Sequence, residues 1–291
     1  MQKALGYKHI VTAVAVQVTA HPAMRRAINI AEKTQGGVTL VHAIKDPTKS
    51  KSGDVSNGAT PEQIKAHLQQ LESSQPLVHG IRLITGRKWE AINQIADESE
   101  ADLIVIGSFV HGRLRAFLGE TSNRIVRAAN RDVLVVRSDL YSEESPPKDY
   151  KTIVMATDLG DSGPTVVEKA NQMAKAFGAR LILLHAIDHF PQNRENEDIT
   201  PENMDPKEYQ RQLKARKLGN LAEQIGQPDI PQEVIVSTKS TKQIVADYAR
   251  DQGADLIIIG SRKSFGADLL LGPTADGIVG SAPCDVLVSH T

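Results

Sequence analysis

The 291-residue chain is 40% apolar, 24% charged and 4% aromatic, carries a net charge of −1 and holds 14 prolines, a makeup that excludes disordered and collagen-like classes. Its one cysteine, Cys284, excludes an intrachain disulfide and a cysteine-based zinc site; with no secretory leader and no run of 18 apolar residues, the expectation is a cytoplasmic protein of two domains. Residues 1–140 carry +5 and the remainder −6, but no block of like charges marks a nucleic-acid or membrane surface.

In chain order, residues 10–18 form a β-branched, apolar run that ends at His21-Pro22 and predicts a first strand. Over 24–33 apolar residues recur at helical spacing (Met24, Ala27, Ile28, Ala31) until Gly36-Gly37 breaks the pattern, which predicts a crossover helix and a buried second strand over 38–44. After a polar stretch, Thr60-Pro61-Glu62-Gln63 offers an N-cap hydroxyl, proline at the first helical position and an amide acceptor three residues on. A third strand (80–84), a helix (89–98), a fourth strand (102–106), another helix and a last strand (133–137) follow.

The succession then recurs. LVHAI at 40–44 returns as LLHAI at 183–187, an offset of 143, and ADLIVIGS at 101–108 returns as ADLIIIGS at 254–261, an offset of 153. The second copy has thus gained ten residues between His185 and Gly260. Two copies with one net insertion make a tandem duplication. The polar segment with Pro146 and Pro147 reads as a linker at 141–150, between a domain at 1–140 and one at 151–291. Continuous apolar strands separated by helices belong to parallel sheets covered on both faces. The predicted fold class is therefore α/β: two tandem doubly wound domains, each with a mostly parallel five-stranded sheet.

In such sheets ligands sit outside the carboxyl ends of the strands. After strand four of the second copy come Gly260-Ser261-Arg262-Lys263-Ser264-Phe265-Gly266 and then Gly272-Pro273-Thr274 opening a helix. Glycines let backbone amides ring an anion and a helix N-terminus favours phosphate, although the same glycines also serve tight turns and close packing. Asp158 follows strand one in the second copy, where the first has Ala15; it suits an adenine or ribose contact, or a turn. His42 and His185, both at the end of strand two, are each read as satisfying a sheet-end carbonyl, and no metal site or catalytic residue is assigned. Neither a dinucleotide-binding fingerprint nor a Walker-type loop occurs.

The strand ending in Asp158, the ADLIIIGS segment, the Leu-Gly-x-Thr helix starts at 118–121 and 271–274 and the closing APCDVLV at 282–288 resemble the universal stress protein family, twice over nearly the whole chain. The resemblance implies an ATP or AMP site using Asp158, Gly260, Gly272 and Thr274, and Ser261, Lys263 and Gly266 of the same loop complete the candidate set, Lys263 as a side chain able to reach phosphate and Gly266 as a source of backbone freedom. Departures accompany it: Lys263 replaces a motif glycine, the Gly260 to Gly272 interval is one residue short, and Pro273 removes an amide donor. In the first copy Ala15 and Val110 stand at site positions, so that degenerate site is expected to be empty or structural. The resemblance further implies a stress-response regulator with protein partners, an intrachain pseudo-dimer through the strands at 132–137 and 285–290, further homodimerisation, and at most weak ATPase activity. Two other readings remain open: a nucleotide hydrolase or transferase, and a binder of another small molecule or lipid at the 188–206 insertion.

Overall fold

Short β-branched runs become strands where each can bury both faces, and the stretches between them become helices because each has one apolar stripe to bury. The computed structural model describes residues 6–14, 21–44, 60–108, 119–188, 204–261 and 272–290. The chain divides into two compact units, with the boundary in sequence between Asp149 and Tyr150.

The first unit contains β1 (His9–Ala13), α1 (Pro22–Thr34), β2 (Gly37–Ile44), α2 (Pro61–Ser74), β3 (Val78–Thr85), α3 (Lys88–Glu98), β4 (Leu103–Ser108), α4 (Glu120–Ala128) and β5 (Asp132–Arg137). Its strands lie in the order β3-β2-β1-β4-β5, all paired in parallel. The second repeats the design with β6 (Thr152–Ala156), α5 (Gly163–Phe177), β7 (Arg180–Ile187), α6 (Pro206–Gln224), β8 (Gln232–Val236), α7 (Thr241–Asp251), β9 (Leu256–Gly260), α8 (Pro273–Ser281) and β10 (Asp285–Ser289), in the order β8-β7-β6-β9-β10. Parallel pairs again join these strands. Winding reverses after the third strand of each unit. Right-handed crossovers then put the first two helices on one face and the last two on the other. The central strands are sealed: Leu103 to Ile106 and Leu256 to Ile259 are at most 3% exposed.

Local chemistry sets the element ends. Thr60 and Gln63 exchange the expected capping-box bonds, the Thr60 N–H donating to Gln63 Oε1 (2.8 Å) and the Gln63 N–H to Thr60 Oγ1 (3.3 Å). At Asp205 one carboxylate oxygen takes the amides of both Lys207 and Glu208. The helix before β2 stops one residue earlier than the Gly36-Gly37 pair, because Gln35 adopts the left-handed conformation (φ 53°) and Gly37 is free to open the strand.

Two polar pins recur in both units. The Tyr7 hydroxyl donates to Asp132 Oδ2 (2.5 Å) and the Tyr150 hydroxyl to Asp285 Oδ2 (2.9 Å), each tying the entry to the first strand to the start of the last. Burial, reinforced by the Asp132 carboxylate, pushes the Tyr7 phenol well above the usual tyrosine range. Asp102 accepts the amides of Lys8 and His9, and Asp255 those of Lys151 and Thr152. The segment read as a linker is held against α1 within the first unit. Arg26, 1% exposed, donates to the Lys148 carbonyl (2.6 Å), the Tyr141 hydroxyl (3.2 Å) and Asn29 Oδ1 (2.9 Å). Asp149 accepts from Asn29 and pairs with Lys33.

Candidate functional site

Winding reverses between β6 and β9, so the crevice at their carboxyl ends is where a doubly wound sheet can admit a ligand. Ala156 stands opposite Ile259 in the β6–β9 register, which sets Thr157 and Asp158 beside Gly260 as the chains leave the sheet. Asp158, Ser162, Val166 and Gly260 share the walls of one small cleft there, about 20 Å³ in volume, the room of a single water.

The residues after β6 form a tight hydrogen-bonded turn. Asp158 Oδ1 accepts the Gly160 amide (2.9 Å) and Thr157 Oγ1 accepts the Leu159 amide (2.9 Å), with Leu159 held at φ 60°. The turn role open to Asp158 is thus realised. The Asp158 side chain is solvent-exposed.

The two glycines differ in their reason for being glycine. A Cβ on Gly260 would stand 3.1 Å from Val166 Cγ2 and 3.2 Å from Ser162 Oγ, so close packing of β9 on α5 requires the missing side chain. Gly272 is different. It caps α8 at φ −58° and ψ 158°, is exposed, and a Cβ there would meet nothing within 4 Å. Among the described residues no packing contact demands glycine at 272, which serves as the N-cap of α8, and its missing side chain leaves the backbone open to close approach by a ligand. Pro273 sits in the first turn without an amide, leaving the Thr274 and Ala275 amides at the head of a helix that makes no side-chain cap bond. A helix that follows a parallel strand starts at the strand's carboxyl end, so α8 opens on the same edge of the sheet as Asp158. In the first unit Glu120 occupies the place of Pro273 and pairs with Arg124 (2.8 Å), so the head of α4 already carries a carboxylate.

Ser261 is turned away from the cleft. Its amide (2.9 Å) and hydroxyl (3.2 Å) both donate to the Ser289 carbonyl, and Ser108 repeats the hydroxyl bond to the Val136 carbonyl in the first unit (3.2 Å), the mark of a strand-end tie common to both copies. Lys263 and Gly266 lie outside the described residues, as do Ala15 and Val110. Most of the insertion lies outside them too.

His42 and His185 each donate Nδ1–H to a sheet-end carbonyl, Val14 at 2.7 Å and Thr157 at 2.8 Å, as read from the sequence. Burial holds both imidazoles below the usual histidine range. His185 also feels the Asp158 carboxylate and two cations on α6, Lys214 and Lys217. The sequence reading missed these lysines. Their i,i+3 spacing on one helical face was the available signal. Among the described residues no helix is long and apolar enough to cross a membrane, and no group of three or more His, Cys, Asp or Glu could hold a metal ion.

Comparison with known proteins agrees with this architecture. The chain is 30% identical over 139 residues to universal stress protein A homolog 2 of Coxiella burnetii (strain RSA 493 / Nine Mile phase I), covering 47% of this chain and 93% of that protein. It is 31% identical over 143 residues to a universal stress protein of Thermus aquaticus, covering 48% and 98%. Among solved structures, a universal stress protein from Archaeoglobus fulgidus DSM 4304 covers 97% of this chain and 98% of its own, with TM-score 0.67 and 14% identity, a likeness of fold. The model of the universal stress protein family matches twice, over residues 6–137 and 149–290, and the chain belongs to that family as a tandem of two of its domains.

Proposed function

We propose that the second domain binds an adenine nucleotide, ATP or AMP, and that the protein acts in the stress response as a nucleotide-responsive binding protein, with the first domain offering the partner surface. Asp158 would receive the base or a ribose hydroxyl. The Gly272 backbone and the Thr274 amide and hydroxyl at the head of α8 would receive phosphate, and Gly260 would keep the strand end narrow beside them. Lys263 and Gly266 stay in the proposed set from the sequence, with Lys263 as a phosphate cation. Ser261 is left out, since both of its donors are engaged by Ser289.

The carrying observation is the exposed Gly272, where a Cβ would meet nothing within 4 Å among the described residues, at a helix head whose glycine N-cap brings no side-chain acceptor to the first amides. Lys214 and Lys217 add positive potential on the same unit. A chain with one cysteine suits a reducing compartment, which supports the cytoplasm as its place. Calorimetric titration of the full chain with ATP and with AMP tests the reading, beside Asp158→Asn, which keeps the turn acceptor, and Asp158→Ala. Saturable heat from one nucleotide, weakened by both variants, is expected. No heat from either nucleotide refutes it.

A further inference from the structure

The first unit brings together two histidines from separate elements. His21 precedes α1 and His67 lies on α2, and their Nε2 atoms stand 3.4 Å apart. The ring centroids are 5.5 Å apart with planes inclined at 42°, so the rings meet by their nitrogens and are not stacked. For a hydrogen bond between neutral imidazoles that separation is long. For two imidazoles on one tetrahedral metal ion with metal–nitrogen distances of about 2.0–2.1 Å, the nitrogen–nitrogen edge is about 3.3–3.4 Å. We propose that His21 and His67 form a two-imidazole site for a divalent transition-metal ion of the zinc or copper class, with solvent completing its coordination.

Two further observations accord with this. His21 holds a left-handed backbone (φ 40°, ψ 54°) immediately before Pro22, a conformation disfavoured both for a side chain with a Cβ and for a residue preceding proline, so the fold keeps this imidazole in place against a local preference. His21 also lines a cavity of about 500 Å³ between α1, α2 and the Pro146-Pro147 segment, which gives ions and water access to that imidazole. Burial and the neighbouring His67 hold His21 at a pKa of about 4, so at neutral pH its ring is unprotonated and able to ligate.

The test uses the full chain. Zinc titrated against a competing chromophoric chelator should bind at one equivalent, His67→Ala should weaken that binding at least tenfold, and the exposed His79→Ala should leave it unchanged. Copper(II) added at one equivalent to the unaltered protein should give an electron paramagnetic resonance spectrum with hyperfine structure from two imidazole nitrogens, a result independent of how any variant folds. Absence of stoichiometric zinc binding, undiminished binding in a folded His67→Ala, or a copper spectrum without two imidazole nitrogens would each overturn the proposal.

Discussion

Gly260 and Gly272 carry the same letter and should respond oppositely to alanine. At Gly260 the new methyl would sit 3.1 Å from Val166 Cγ2, roughly 0.5 Å inside the ordinary carbon contact of about 3.5–4.0 Å. Val166 cannot swing clear, being 1% exposed on α5, and β9 is held on both sides by the β6 and β10 registers. Overpacking of this kind costs about 1–3 kcal/mol, offset by roughly 0.4–1 kcal/mol from the stiffer unfolded chain. The expected net loss of about 1–2 kcal/mol would lower the melting temperature by roughly 3–8 °C. At Gly272 the methyl meets nothing within 4 Å among the described residues. The unfolded-state gain and the poorer N-cap of alanine nearly cancel, leaving stability within about 0.5 kcal/mol, while ATP affinity should fall at least tenfold as the methyl blocks the backbone. Urea denaturation and nucleotide titration of both variants decide the matter. A Gly260→Ala protein as stable as its parent would refute the packing argument, and a Gly272→Ala protein that binds ATP with full affinity would refute the phosphate role.

Three other outcomes are expected. Tyr150→Phe removes a donor from the buried Asp285 and should cost about 1.5–3 kcal/mol, read by urea midpoint; a loss under about 0.5 kcal/mol would mean that the pin is not structural. Arg26→Met leaves the Lys148 carbonyl and Tyr141 hydroxyl without their guanidinium bonds, so proteolytic cleavage within residues 141–149 should accelerate several-fold, and an unchanged rate would show that Arg26 does not hold the segment. His185 is held below its ordinary range when folded, so the unfolded chain takes up its proton first, near pH 6.5. Its stability contribution is full above that pH and shrinks as pH falls toward the folded value. His185→Gln should flatten part of the drop in urea midpoint between pH 7.5 and 5.5, and an identical slope would count against the reasoning.

Much of the site's framework was legible in the residues. Asp158 and Gly260 come together because a strand-end acid and a strand-end glycine at the switch point must be neighbours in this topology. Their division of labour was not legible. Ser261 looks like a ligand residue in a Gly-Ser pair, yet its donors face Ser289, 28 positions on. Lys214 and Lys217 sit in a mostly polar helix that buries Leu218, Leu221 and Ala222 near its end, so their i,i+3 spacing marks a shared face without saying that this face approaches His185. The histidines at 21 and 67 belong to no spacing motif, being 46 residues apart.

The sequence by itself determined the duplication, the alternation of strand and helix, the parallel sheet and the edge on which a ligand would sit, because each of these follows from short-range periodicity and from the handedness of the crossover. Tertiary structure alone decided which glycine is required by packing, which serine is engaged, how Arg26 holds the segment before the second unit, and which imidazoles meet. Those outcomes depend on where separate crossovers set their side chains in space, and periodicity along the chain carries no record of that.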